Sequence, residues 1–442
     1  MAFRPSWLLL AMSFLWLGMA PLRADDAAPA PPMPPLEERE YELLKLFADA
    51  LDQIERNHAE RLDRRQLIEA AVRGMVGKLD PYSVFVPPEE MERLRRGVES
   101  EFGGLGVQVA IEEGQFLVSY PLVGTPAFRA GIGAGDAILQ VNGQATKGRS
   151  LDDATALLKG PIGSTVKLQV RHKLNGKEEE VVLKREVIRL DTAIGDRRSA
   201  DDSWDFLYDN DRQLGYIRLT SFSRHTAEEL GAALAALQKR GMRGLVLDLR
   251  FNPGGLVSSA VEVSDLFLEK GKIVSTEGRS AKPRAWEAKV PGTFSGFPMA
   301  VLVNRYSASA SEIVAAALQD NHRATIIGER TWGKGSVQSI IELEEGKSAL
   351  KLTTSYYHRP SGQNIHRRPG DPDDGEWGVR PDAGCEVKLT DSESAALLKW
   401  RRKRDELSSR NPGKSPAAPP PSDKQFEKGL EVVRKKLADK AT

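Results

Sequence analysis

The sequence predicts a multidomain α+β protein whose largest part is a layered α/β body. Apolar runs at Leu214–Leu219, Gly244–Arg250 and Met299–Val303 read as buried strands, and a helical segment, 227–239, separates the first two. The stretch 298–340 then reads as strand, sharp turn and helix, because Asn304 ends one run and Ile313, Val314, Ala317 and Leu318 recur at helical spacing. A chain of 442 residues is also too long for one ordinary core.

From the start of the chain, residues 1–24 read as an export signal. Arg4 supplies the positive end, and Leu8–Met19 is an apolar stretch short for a membrane span. Ala24 fits processing imperfectly because Leu22 stands where a small residue is preferred, so an uncleaved signal that anchors the chain to a membrane is the competing reading. Either reading places the bulk of the chain outside the cytoplasm. Residues 25–35, with the run APAPPMPP, form a stiff extended linker. The region 36–98 is mainly helical, with Tyr41, Leu44, Phe47, Ala48 and Leu51 on one stripe and Leu67, Ala70, Ala71 and Met75 on another. These stripes want a partner surface. Within this region LDPYSVFVPPEE, residues 79–90, breaks the helices at Pro81, Pro87 and Pro88.

Composition excludes several classes of function. Lys plus Arg total 63 against 62 for Asp plus Glu, so no basic excess is available to grip nucleic acid. Cys385 is the only cysteine, which rules out an intrachain disulfide and a cysteine-based zinc site. His58, His172, His225, His322, His358 and His366 show no metal-ligand spacing, so neither a metal nor another cofactor is expected.

The chemistry lies in the stretch 298–340. Its Ser/Ala cluster carries three candidate nucleophiles, Ser307, Ser309 and Ser311, and the following loop carries Lys334 between Gly333 and Gly335. A serine hydroxyl needs a base, and a lysine amine serves when burial lowers its pKa, because burial disfavours the charged form. Ser309 with Glu312 also forms a capping-box pattern that needs no catalysis, and a histidine base remains open from the residues alone. The residue chemistry allows a Ser/Lys dyad without selecting it.

SASASEIVAAALQD followed by GERTWGKGSVQ resembles the catalytic stretch of the C-terminal processing peptidases, also called tail-specific proteases. The resemblance implies a crotonase/ClpP-like layered core with Ser309 as nucleophile, Lys334 as general base and Gln338 orienting the lysine. A lysine and a glutamine four positions on along one strand share a face. RFNPGG, between Leu249 and Leu256, matches the family's oxyanion loop, which implies backbone donors at Gly255 and Ala310, with Gly254 the near alternative. Phe251 departs from the small or polar residue usual there.

Residues 99–187 resemble a PDZ domain through AGIGAGDAILQVNG and the glycine-rich stretch Phe102, Gly103, Gly104, Leu105 and Gly106. By resemblance that stretch is the carboxylate-binding loop, the peptide adds as a strand beside residues 106–109, and residues 151–161 are the helix lining the groove. Arg171 falls where some relatives carry a sensor of bound peptide. LDPYS matches an element that joins the N-terminal helices to the next domain, with no catalytic role implied. The peptidase core spans 188–390, and the loop 366–377 is longer and more charged than the simplest family pattern. The tail 391–442 reads as a helix near 392–407, a linker over 408–423 and a last helix at 426–437 with Leu430, Val433 and Leu437 on one stripe.

The expected activity is a periplasmic serine endopeptidase that takes protein C-termini as substrate. The alternative is a catalytically idle PDZ scaffold. A hydratase of similar layered fold would not need the PDZ domain. A lipoprotein adaptor and a homo-oligomer are open as partners.

Overall fold

A computed structural model describes residues 38–91, 102–122, 124–199, 203–209, 211, 213–406 and 422–440. The signal segment, the 25–35 linker and most of the 408–423 linker lie outside the described residues. The chain divides into two compact units between Ala71 and Val72. The first holds α1 (Glu38–Asn57), whose stripe residues Tyr41, Leu44 and Phe47 are exposed, and the start of α2 (Arg64–Val76). Among the described residues, no helix is long and apolar enough to cross a membrane.

The second unit opens with β1 (Val84–Val86), then β2 (Phe102–Gly104), β3 (Val107–Glu112), β4 (Gln115–Pro121) and α3 (Pro126–Arg129). The PDZ region continues through β5 (Ala137–Val141), β6 (Gln144–Ala145), α4 (Leu151–Leu158), β7 (Thr165–Arg171), β8 (Glu178–Lys184) and β9 (Glu186–Ile188). Its sheet runs β3-β4-β5-β7-β8, with β6 beside β5 and β2 paired to β9. Phe116, Ile138, Val166, Leu168 and Val170 point inward from alternate positions and are fully buried. The Ser150 cap, with Asp153 reaching back to its N–H at 3.0 Å, starts α4 where the sequence places the groove helix.

The peptidase body follows. Short strands β10 (Ala193–Ile194), β11 (Arg197–Arg198), β12 (Trp204–Asp205) and β13 (Leu207–Asp209) lead to β14 (Leu214–Leu219), α5 (Thr226–Lys239), β15 (Gly244–Asp248) and α6 (Val257–Asp265). Then come β16 (Lys272–Glu277), β17 (Arg284–Glu287), β18 (Met299–Val303), α7 (Ala310–Asp320), β19 (Thr325–Gly328), β20 (Ser336–Leu343) and β21 (Ser348–His358), and the chain closes with α8 (Asp391–Glu406) and α9 (Lys424–Asp439). The central sheet is β10-β14-β15-β18-β19, parallel from β14 onward.

Every residue of β14, β15 and β18 is buried, as expected when both faces of a parallel sheet are covered. Ile217, Leu219, Leu245, Leu247, Val301 and Val303 meet α5, α6 and α7 on one face. Tyr216, Val246, Ala300 and Leu302 alternate to the other face and meet Leu430 and Val433 of α9. The stripe of the last helix therefore docks on the body of its own chain.

Two features differ from the sequence reading. The LDPYS segment is more than a joining turn, because β1 directly after it pairs with residues 349–351 of β21 and so belongs to the peptidase's second sheet. Asp423, expected in the linker, caps α9 by accepting the Phe426 N–H at 3.1 Å.

Candidate active site

β18 ends at Val303, and the turn that follows is built by hydroxyls. Ser307 Oγ donates to the Leu249 carbonyl at 2.8 Å and accepts the Asn304 N–H at 3.0 Å. Ser311 Oγ donates to the Asn252 carbonyl at 3.0 Å. Both serines are fully buried, whereas Ser309 is 8% exposed. Two of the three candidate hydroxyls are thus occupied in joining this turn to the 249–255 loop. Ser309 sits at φ 55 and ψ −114, backbone that a residue with a Cβ rarely adopts and that costs on the order of 1–3 kcal/mol. The carboxylate half of the capping box is present, Glu312 Oε2 accepting the Ser309 N–H at 2.8 Å, while the Glu312 N–H goes to the Ser309 carbonyl at 2.8 Å rather than to Oγ.

The same carboxylate holds the lysine loop. Glu312 Oε2 accepts the Lys334 N–H at 2.8 Å, while Oε1 accepts the Gly333 N–H at 2.7 Å and the Thr331 hydroxyl at 2.5 Å. Glu312 is fully buried, and burial pushes its carboxyl above the usual range against the pull of these four donors. Gly333, at φ +86, packs where a Cβ would stand 2.8 Å from Arg367 and 2.9 Å from the Trp377 ring. The glycine lets the loop pass beneath the 366–377 segment.

Lys334 is half-buried, and its amine lies below the ordinary lysine value because of burial, then Lys351, with Glu312 opposing. Its Nζ stands 5.1 Å from the centroid of the Tyr82 ring. Among the described residues, no hydrogen bond joins this amine to Ser309 Oγ or to Gln338. The shared-face argument for Lys334 and Gln338 fails on two counts: β20 begins only at Ser336, and a register shift falls between Val337 and Gln338. The Gln338 amide donates instead to Ser336 Oγ at 2.8 Å and Thr353 Oγ1 at 3.2 Å.

The NPGG loop lies against the Ser309 turn. A Cβ on Gly254, at φ +99, would stand 2.8 Å from Ser309 Cβ and 3.0 Å from the Ala310 nitrogen. The Gly254 N–H donates to Asn252 Oδ1 at 2.8 Å, which removes it as the alternative oxyanion donor. Ala310 is the first residue of α7, where an N–H has no partner within its own helix. Gly255 is held at φ +152 against Phe222, whose carbonyl a Cβ would approach to 2.1 Å. Phe251, at φ 63, stacks on Tyr306 with ring centroids 5.5 Å apart.

In the PDZ region, Phe102, Gly103 and Gly104 do not form an open loop, because they pair with residues 186–188 as strand β2. A Cβ on Gly103 would stand 2.2 Å from the Gly160 carbonyl, so this glycine serves close packing. Leu105 is buried in the PDZ core, and Gly106, at φ +74, makes the turn into β3. The edge of β3 away from β4 carries no strand among the described residues, which leaves a ladder position beside residues 107–109. Arg171 pairs with Glu178 at 2.7 Å across β7 and β8, and among the described residues no bond joins it to the peptidase core. Among the described residues, no group of three or more His, Cys, Asp or Glu side chains is arranged to hold a metal ion.

Comparison with known proteins matches residues 213–383 to peptidase family S41, 117–172 to a PDZ domain and 22–90 to the activating protease CtpB N-terminal domain. The carboxy-terminal-processing protease of Bartonella bacilliformis is 36% identical over 414 residues, covering 92% of this chain and 91% of that protein. This chain belongs to the carboxy-terminal-processing proteases. The family's CtpA from Bacillus subtilis is 35% identical over 340 residues, 76% of this chain and 68% of that protein. Among solved structures, the photosystem II D1 C-terminal processing protease is 31% identical, covers 78% of this chain and 92% of its own, and has a TM-score of 0.44. As a family member the chain is a serine peptidase with a PDZ domain.

In this carboxy-terminal-processing protease the sequence reading treated Glu312 only as a cap and missed its link to the lysine loop. A buried carboxylate in S-x-x-E, followed by consecutive backbone donors in a Gly-Lys-Gly loop, is the pattern that carried the signal. The approach of Tyr82 to Lys334 and of Thr353 to Gln338 was invisible because it depends on β1 pairing with a distant strand, Val84 lying opposite Lys351, 267 residues away.

Proposed function

We propose that this protease is an exported endopeptidase that recognises the C-terminal ends of poorly folded proteins through its PDZ domain and cleaves them by a Ser309/Lys334 dyad. The observation that carries the reading is the difference among the serines: the Ser307 and Ser311 hydroxyls are tied to backbone carbonyls, and Ser309 alone sits on a strained turn beside the lysine loop. Lys334 in its neutral form takes the Ser309 proton as Oγ attacks the peptide carbonyl, and then delivers that proton to the leaving amine. The oxygen of the tetrahedral adduct is received by the Ala310 and Gly255 N–H groups. Water attacks the acyl-enzyme and returns Ser309. Gln338 supports the lysine once the amine turns to the serine, and a peptide terminus adds beside β3 near Gly106.

The Lys334 amine now lies over the Tyr82 ring, and the dyad forms when this flexible side chain turns to Ser309. Work outside the cytoplasm follows from the signal-like first 24 residues, and partners such as an adaptor lipoprotein or further copies of the chain belong to the same proposal. The test is degradation of casein by the mature chain. Ser309→Ala and Lys334→Ala are each expected to be inactive with the fold retained, and parental cleavage by Ser309→Ala overturns the assignment.

A further inference from the structure

We propose that Tyr82 is a positioning residue whose ring seats the protonated amine of Lys334 away from Ser309 and releases it on deprotonation. The inference rests on the reading of Lys334 as general base and gives a role to the LDPYS turn. The first observation is the Nζ at 5.1 Å from the ring centroid. An ammonium over an aromatic face is attracted by the ring's negative quadrupole, whereas a neutral amine is not. The seat therefore discriminates between the two protonation states.

The second observation is that the ring is held from several sides. Asp80 Oδ1 accepts the N–H groups of Tyr82 and Ser83, each at 2.8 Å, and Oδ2 accepts the Ser83 hydroxyl at 2.7 Å. Burial pushes the Asp80 carboxyl up, but Ser83, the Tyr82 N–H and Thr353 outweigh it and keep it below its usual range. Trp332 Nε1 donates to the Tyr82 hydroxyl at 3.4 Å, and the His366 ring stands edge-on at 6.1 Å.

The third observation ties the turn to the other catalytic candidate. Thr353 donates its N–H to Ser83 Oγ at 3.0 Å and its hydroxyl to Asp80 Oδ1 at 3.2 Å, and Thr353 Oγ1 accepts the Gln338 amide. One turn thus sets both the resting seat of Lys334 and the resting partner of Gln338. The charged and titratable groups that face the amine are Lys351 on β21 and Glu312 on α7, with Asp80 and His366 around the ring that seats it. Lys351 repels an ammonium and Glu312 attracts it. A proton on the amine both disables the base and parks it, so a single event controls chemistry and position.

The test measures Lys334 itself rather than activity alone. The pH dependence of its acylation by an amine reagent, read by mass spectrometry on the full-length chain, gives its titration midpoint. Tyr82→Phe keeps the ring and is expected to titrate as the parent. Tyr82→Leu keeps an apolar cover but loses the ring face, so the midpoint is expected to fall by about half a pH unit. The acid limb of kcat/KM should move down with it. A ring-fluorinated phenylalanine at position 82, which preserves shape and removes the negative face, should reproduce the fall even where leucine disturbs folding. An unchanged or raised midpoint in both ring-altered proteins overturns the seat. A lowered midpoint with an unmoved activity limb leaves the seat standing and removes Lys334 as the base.

Discussion

Oε2 of Glu312 accepts the Ser309 N–H and the Lys334 N–H at 2.8 Å each, so one buried oxygen fixes the two backbone segments that carry the proposed nucleophile and base. Helix α7 and the loop before β20 cannot drift apart without leaving an N–H unpartnered, at a cost of about 1–3 kcal/mol. Glu312→Gln keeps the volume but places an amide NH2 against N–H donors. We expect kcat/KM to fall on the order of a hundredfold, with the far-UV circular dichroism unchanged. Activity within about twofold of the parent would show that the shared carboxylate is dispensable.

As the proposed base, Lys334 should respond to its neighbour Lys351. Burial and this second positive charge hold the Lys334 amine below the ordinary lysine value, so neutral amine is available at lower pH and kcat/KM rises through the lowered pKa. Lys351→Met removes one lowering cause, and the acid limb should move to higher pH. The linkage has a definite sign. Because the folded pKa lies below the unfolded one, the unfolded chain binds the proton more tightly, and this group's contribution to stability grows as pH rises from the lowered folded value towards the unfolded value. A limb that stays in place or moves down in Lys351→Met would contradict this electrostatic account.

The layered body was legible because β14, β15 and β18 are continuous apolar runs, which is how a strand buried on both faces reads. Local serine and glycine signals marked the turn at 304–311, the loop around Lys334 and the NPGG loop as special backbone, but the choice of Ser309 and Lys334 among them came from the family resemblance. The Gln338 geometry was not legible, since a register shift in β20 breaks the period of two on which the sequence argument depended. The strand pairing of residues 102–104 was not legible for a related reason: a glycine such as Gly103 tells that a close approach is needed, not whether a ligand or a neighbouring strand makes it. The roles of Glu312 and Tyr82 arise only when distant segments meet.

The NPGG loop offers a steric test. At Gly254 a Cβ would fall 2.7 Å from the Ala308 carbonyl and 2.8 Å from Ser309 Cβ, at a φ of +99 that disfavours any side chain. Gly254→Ala must therefore displace the serine turn or the loop. The expected outcome is a loss of kcat of about a hundredfold or more with a smaller change in KM, since a misplaced attacking atom affects the reaction more than binding. Casein turnover and peptide affinity measured on the same preparation separate the two, and an unaltered kcat would mean that the contact is absorbed elsewhere.

The last helix is joined to the same loop through charge. Arg250, with its side chain fully buried, donates to both oxygens of Asp248 and to both oxygens of Asp423 at the start of α9, with distances of 2.6–3.2 Å. Burial alone would push the Asp248 carboxyl up, yet Arg250 and Arg401 hold it well below the usual carboxylate range. Asp423→Ala leaves the guanidinium half-paired in the interior and removes the cap of α9. Breaking a buried pair in this way costs about 3–5 kcal/mol, and the lost cap adds about 1. Urea unfolding of the peptidase body should show a loss of that order, with its midpoint moving to lower denaturant at an unchanged slope. Because Arg250 directly precedes Phe251 and the NPGG loop, proteolysis should decline in Asp423→Ala even under conditions where the body stays folded. A variant as stable and as active as the parent would show that the C-terminal helix is attached to the NPGG loop only by proximity.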